Sequence, residues 1–580
     1  MLFDATMEAQ IPSSRKRIRD ENRDENPRKK RASDSGEIMK KRNEKRKDNS
    51  SKPIMGNIKF YVKNDDEKTN LYNKIDQAKL VLREKISNVT NAEILNEVLD
   101  LFLATFSEGG QNEDRVSTFK QYLDCNREAT NEDIYLTTES SIRNLVQGIQ
   151  LHQQKCNKAI KIKETQRILH AAKFTFVCED KHTFKCDSSP YVAGGKYLVN
   201  LRMLHALMGS GLRYTQYERF CKAANLGVCG ESYYGTVHEQ YCVITEDVTK
   251  ESIKGALEEE TALTLLETEN DNYEGINIMS DARHGTRRNA AQSDIIALGG
   301  ISHKVVGAET ITRDDDPVSQ RHELLGSKKL YEHFDACCVN VNIHAHDRNV
   351  SLNKLLDSEY PHVTNANDTW HATKGIAKQL KTITKGPKKM HGKTWHSELS
   401  DKAASIKTHC YYAMKNCNRQ PDILRALLEN IVQHYKGDHQ NCLAESRCKT
   451  DEYYISTKDT ITDANAEKIL LQAIKGLQVY KNASDYVHCI DTHYVESFNN
   501  LALIYHDKRI SFGNKEYKRR TNMAILDWNQ NVDRDFTSVT QHEDPQKPRK
   551  VKGHKNLVPK SLDHLQNLWN EFMDKYFYKD

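Results

Sequence analysis

Residues 276–281 read INIMSD, and residues 336–347 read ACCVNVNIHAHD. Each is a short apolar run that ends on an aspartate. Between them, 293–298 and 304–310 are two further short runs on either side of a GGIS turn at 299–302. Residues 318–334 then take the three-and-four spacing of a helix. The predicted order is three strands, a helix and a fourth strand. Cys337 and Cys338 are expected on adjacent positions of that fourth strand, hence on opposite faces, as core residues.

This order is that of an RNase H-like fold, in which the fourth strand lies beside the first and Asp281 approaches Asp347 at the sheet centre. The expected class is α/β: an RNase H-like catalytic core, a mixed five-stranded sheet with helices, interrupted by a helical insertion and preceded by a mainly helical N-terminal region. A helix expected from 492 to about 506 carries Glu496 in the string DTHYVESFNN. Two strand-end carboxylates facing a helix carboxylate make an oxygen-rich site suited to two Mg²⁺ ions, and such a pair serves phosphodiester chemistry. The alternative is that each is an ordinary surface acid, since the chain has 81 Asp and Glu.

Length and composition bound the rest. The chain has 580 residues, 37% hydrophobic and 29% charged, with a mean hydropathy of −0.76. That suits two or three cores with polar ends. No run of 18 apolar residues occurs, so no membrane span is expected. The start, MLFDATMEAQ, lacks the basic-then-apolar pattern of a secretory signal. Fourteen cysteines are too sparse for a disulfide scaffold and fit a reducing compartment. Residues 1–52 carry 16 Lys/Arg against 10 Asp/Glu and almost no aromatics, so a disordered basic leader is expected there. Its basic clusters at 15–17, 28–31 and 45–47 point to nuclear import. The expected units are a helical domain at 58–170 (with a helix at 92–106), a Cys- and aromatic-containing domain with a DNA-binding role at 171–270, and the first part of the core at 271–380. A helical insertion at 381–480, the second part of the core at 481–535, and a basic tail with a short C-terminal helix at 536–580 complete the chain. Pro545 and Pro548 are expected to end regular structure there.

The strings SDARHG (280–285), HAHDRN (344–349), NDTWHATKG (367–375), DTHYVESFNN (491–500) and MAILDWNQNVDR (523–534) together resemble the motif series of eukaryotic cut-and-paste DDE transposases. The match is to the Kolobok and Mutator-like group and spans roughly 170–535. The string around Asp281 departs from the Gly-rich, Cys-containing one expected of Kolobok elements. The resemblance implies a catalytic triad of Asp281, Asp347 and Glu496 holding Mg²⁺ or Mn²⁺, and a helical insertion between the second and third acids. It implies that Asp368 and His371, with two residues between them, order the site or contact DNA. The partners implied are terminal inverted repeats, target DNA and a second copy of the chain, with no small-molecule substrate. The alternative is a domesticated, non-catalytic DNA- or chromatin-binding protein on the same fold.

Arg283, Arg287 and Arg288 beside the first acid, Lys374 one turn past Trp370, and the run Lys518-Arg519-Arg520 are candidates for phosphate contact. His434, His439, Cys442 and Cys448 have the types and spacing of a Zn²⁺ site. Cys178, His182 and Cys186 form a weaker trio that needs a fourth ligand from elsewhere.

Overall fold

The computed structural model describes residues 132–268, 273–286, 289–544 and 547–578, with only the backbone described over 542–552. Contacts divide the chain into two units at 130, and the described residues all belong to the second, Asn131–Asp580. The leader expected at 1–52, the helix expected at 92–106, and Arg287 and Arg288 lie outside the described residues.

The described chain opens with α1 (Glu139–Lys155), capped by the Thr138 hydroxyl, which accepts from Ser141 N. It continues into an antiparallel sheet of β1 (Ile160–Ile168), β2 (Ala171–Cys178) and β3 (Thr183–Asp187). The helical character expected up to 170 is therefore wrong beyond α1, and the expected boundary at 170 falls inside the β1–β2 hairpin. Seven consecutive residues of β1 are exposed, so no alternation marked it as a strand.

Helices α2 (Leu198–Gly209), α3 (Tyr214–Ala223) and the long α4 (Glu231–Glu267) lead to the central sheet. Buried residues recur along α4 at Val237, Tyr241, Ile244, Thr249, Ile253, Ala256 and Glu260, the stripe of a helix laid along a core. Glu260 is fully buried because it has work for both oxygens: they accept from Ile301 N (3.0 Å) and Ser302 N (2.8 Å) at a strand turn.

The central sheet comprises β4 (Ile276–His284), β5 (Gln292–Gly299), β6 (Val305–Thr312), β7 (Val341–His346) and β8 (Thr364–Asn367). Its spatial order is β8-β7-β4-β5-β6; β7 runs parallel to β4 and β8, while β5 is antiparallel to its neighbours. The fourth strand does lie beside the first. Every residue of β5 is buried, as a central strand covered on both faces requires. Burying Ile295, Ile296 and Leu298 there contributes roughly 1.5–3 kcal/mol each. Helix α5 (His322–Ala336) makes the crossover between β6 and β7. The strand expected from 336 begins only at Val341: Cys337 and Cys338 are exposed in the turn after α5, Cys338 with φ of 55°, so they are not core residues.

After α6 (Val350–Glu359) and β8, the chain leaves the sheet through α7 (Thr369–Thr384) into α8 (Ala403–Lys415), α9 (Pro421–Tyr435) and α10 (Ala464–Lys475). These helices bury a core of their own, including Leu380, Cys410, Met414, Leu428, Ile431 and Leu470. The insertion is clamped where it starts and ends: Thr369 N and Oγ1 both donate to Ile490 O (3.1 and 3.0 Å), and Thr492 Oγ1 donates to Asp368 Oδ2 (3.1 Å). The chain then returns over the sheet as α11 (His493–Tyr505) and α12 (Asn514–Asn531). β9 (Phe536–Asp544) and β10 (Lys547–Leu557) pair antiparallel, so Pro548, expected to end regular structure, lies within a strand, while Pro545 lies outside the described residues; α13 (Asp563–Tyr576) comes last.

Candidate active site

Ser280 on β4 pairs with His346 on β7, so Asp281 and Asp347 are the next residues on neighbouring parallel strands, about 4.8 Å apart between strands. The third expected acid, Glu496, stands in the first turn of α11. That helix is tied to β4 by Asn499, whose Nδ2 donates to Asp281 Oδ2 at 2.8 Å. Asn499 lies three residues after Glu496, so both project from one face of α11 toward the strand ends.

His371 draws the rest together. Its Nδ1 lies 2.8 Å from Asp347 Oδ1 and 2.5 Å from Asp368 Oδ2, and its Nε2 lies 4.0 Å from Glu496 Oε1. Asp368 is buried and held from three sides: it accepts from Trp370 N (2.7 Å) as the N-cap of α7, from Thr492 Oγ1, and bonds His371. Lys374 sits over the Trp370 ring one turn further on.

The acids crowd one another. Burial pushes the Asp281 carboxyl up to about 7, with Asp347 and Glu323 pushing the same way. Asp347 is raised by burial, with Asp368 and Glu496 adding to it and His371 opposing. Glu323, from the first turn of α5, is itself raised by burial and by Asp347, against a hydrogen bond from Asn349. Asn499 Oδ1 is a buried acceptor without a hydrogen bond. Sequence reading missed Glu323 and Asn499. A signal for Asn499 was its helical spacing from Glu496; Glu323 had none, being one acid among many.

Three expected phosphate contacts are internal. Arg283 is buried, donates from Nη2 to His506 O at 2.6 Å and lies 3.7 Å from Asp294 Oδ2. Arg519 donates to Met208 O (2.9 Å) and Glu516 Oε1 (2.9 Å). Arg520 donates to Gly211 O (2.6 Å), Leu212 O (2.8 Å) and Glu516. All three are about 1% exposed, which removes them from any DNA surface. Lys518 faces outward and pairs with Glu246 at 3.1 Å.

In the insertion, His434, His439, Cys442 and Cys448 converge, their ligand atoms within 4.8 Å of one another, and His434, Cys442 and Cys448 line a cavity of about 430 Å³. Of the weaker trio, Cys178 and His182 stand together, but Cys186 turns to Ser141 O at 3.8 Å and is no part of the group. No described helix is long and apolar enough to cross a membrane.

Fold and site thus describe an α/β chain with carboxylates gathered where two parallel central strands adjoin; Asp281 does not end its strand as expected, because pairing with β5 carries β4 on to His284. Residues 135–313 match the family of the Mutator-like transposase, in line with the resemblance carried by the sequence strings. Among solved structures, a match is the Drosophila P element transposase strand transfer complex, 9% identical, covering 57% of this chain and 92% of that one at a TM-score of 0.26, a likeness too slight to bear on function. No curated protein matches.

Proposed function

We propose that this chain is a DDE-type DNA transposase with an RNase H-like core, in which Asp281, Asp347 and Glu496 hold two Mg²⁺ or Mn²⁺ ions. The observation that carries the reading is the gathering of carboxylates from β4, the end of β7 and α11 around His371 and Asn499. The donors are oxygens, as a hard divalent ion prefers. The orphaned Asn499 Oδ1 fits that use. Bound divalent ions would supply a nucleophile at neutral pH and neutralise charge on the leaving oxygen. The chain's own residues do the positioning. Asn499 orients Asp281, and Asp368, fixed as an N-cap, holds His371 against Asp347. Lys374, exposed on the same helix, offers a positive charge to a DNA phosphate.

The substrates in this reading are transposon terminal repeats and target DNA. Because two ends are joined, the working form is a homodimer or larger, and the basic clusters of residues 1–52 direct it to the nucleus. The match of residues 135–313 to a Mutator-like transposase supports the class. Zn²⁺ would be held by His434, His439, Cys442 and Cys448. A tetrahedral zinc with bonds of about 2.0–2.1 Å to nitrogen and 2.3 Å to sulfur has N–N, N–S and S–S edges of about 3.3, 3.5 and 3.8 Å. The distances here are 3.2 Å (His434 Nδ1 to His439 Nδ1) and 3.5 and 3.8 Å (Cys442 Sγ to each).

The test is Mg²⁺- or Mn²⁺-dependent cleavage and strand transfer on DNA ends from the flanks of the encoding gene. Wild-type activity with loss in Asp281→Asn, Asp347→Asn and Glu496→Gln is expected. Tight DNA binding without cleavage by the wild type would replace this reading with a non-catalytic DNA-binding protein.

A further inference from the structure

We infer that His152, Cys156, Cys178 and His182 form a second zinc site, which fastens the C-terminal end of α1 to the β2–β3 hairpin. The four residues come as two mirror-image pairs. His152 and Cys156 are four apart at the end of α1 and so share a helix face, with Cys156 N donating to His152 O at 2.7 Å. Cys178 ends β2 and His182 precedes β3; the turn between them closes with Lys181 N donating to Cys178 O (3.0 Å) and Cys178 N to His182 O (3.1 Å). The pairs are brought together only by the fold.

The geometry is that of a tetrahedron awaiting its centre. All four ligand atoms lie within 4.8 Å of one another. Cys156 Sγ and Cys178 Sγ are 3.9 Å apart, against about 3.8 Å for the sulfur–sulfur edge of a zinc site. Cys178 Sγ and His182 Nδ1 are 3.6 Å apart, against about 3.5 Å for the sulfur–nitrogen edge. Both nitrogens of His152 are buried with no hydrogen-bond partner, which a ring in ordinary packing avoids and a ligand does not. The remaining polar neighbour is Asp180 Oδ2, 3.4 Å from Cys156 Sγ. Two thiolates with two imidazoles select zinc over Mg²⁺ or Ca²⁺, which take oxygen. A Cys156–Cys178 disulfide is the competing chemistry, and it would leave both histidines without a purpose.

The local fold also needs the staple. The buried apolar cluster beside this sheet holds Ala171, Tyr197 and Val199, with Leu136 and Ile168 partly buried against it; Ala172 and Phe176 are buried too, Phe176 stacked on Phe184, and most of β1 is exposed. A module this thin gains little from apolar burial, and a metal supplies what its core does not. This inference is independent of the transposase reading.

The experiment is zinc content and Co²⁺ substitution in the full-length protein. Cys442→Ser with Cys448→Ser empties the site in the insertion and leaves the proposed one intact. That protein should still retain zinc and, with Co²⁺, show the visible bands of a tetrahedral two-thiolate site. Adding Cys156→Ser and Cys178→Ser should remove one further equivalent and abolish the bands, whereas Cys186→Ser should change neither. Absence of thiolate–cobalt bands in the Cys442→Ser/Cys448→Ser protein would overturn the site even if the larger variant fails to fold. So would finding Cys156 and Cys178 joined as a disulfide in the purified wild type.

Discussion

Two places in the described chain concentrate charge, and they are built in opposite ways. Where β4 adjoins the end of β7, Asp347, Asp368 and Glu496 surround His371 with Asp281 and Glu323 within electrostatic reach, and burial with mutual repulsion raises the carboxyl groups of Asp281, Asp347 and Glu323. Around α12, acids and bases cancel. Glu516 faces Arg519, Arg520 and His238; Asp294 accepts from Tyr517 (2.7 Å), Thr310 (2.9 Å) and Thr521 (3.2 Å) and lies near Arg283. The second cluster holds the fold together: its arginines spend their remaining donors on backbone carbonyls of residues 208–212 and 505–506. In the first, Asp368 caps α7 and His371 and Asn499 partner some of the acids, yet the like charges outnumber their partners. One cluster is acid-rich and half-open and the other buried and compensated, and the function proposed above puts the former to work.

The comparison breaks most sharply at the acids. Asp281→Asn, Asp347→Asn or Glu496→Gln should each reduce metal-dependent DNA cleavage by about 10³-fold or more, the scale of losing a group that stabilises reacting charge. The same variants should unfold at temperatures no lower than the wild type, because each relieves repulsion. A large loss of thermal stability would place these residues with the structural cluster instead. Arg520→Ala should do the reverse. It strips a buried carboxylate of a partner and orphans carbonyls, at a cost of about 3 kcal/mol in denaturant unfolding. Lys518→Ala, which breaks an exposed pair, should cost no more than about 1 kcal/mol. Equal effects of these neighbours would undo the distinction. His371→Gln tests the link within the site: a residue that positions Asp347 without reacting should cost about 10–100-fold in activity, with the metal-concentration dependence shifted.

What could be read beforehand depends on the range of the interactions. The strands over 276–346 were legible because short apolar runs reflect local burial, and Asp281 and Asp347 because they end two of those runs. The zinc-type spacing of 434–448 was legible for the same reason, since its four residues are near neighbours in the chain. The pairing of His152 and Cys156 with Cys178 and His182 left a signal, His-x3-Cys answered by Cys-x3-His, that the nearer Cys186 obscures. The burial of Arg519 and Arg520 left none. Their partners, Met208, Gly211 and Leu212, lie some three hundred residues earlier, and a basic run looks alike whether it meets phosphate or carbonyl. Strand β1 was hidden differently, for IKIKETQRI is exposed along nearly all its length.

The smallest effect sought is a pH dependence confined to the compensated cluster. Burial alone would lower the pKa of His238, but Cys242 and Glu516 outweigh it and push it up to about 9. Glu516 is held well below the usual carboxylate range: burial opposes this, and His238, Arg519 and Arg520 prevail. A histidine whose folded pKa lies above its unfolded value contributes stability that is complete below about 6.5 and lost as pH rises through about 9. Glu516 remains ionised across that window, with two arginines still facing it, so the loss is partial. Wild type and His238→Gln should therefore differ most in Tm near pH 6, and the gap should close by pH 10. A gap that stays constant over this range would mean that His238 acts by packing alone, and that Glu516 is neutralised entirely by Arg519 and Arg520.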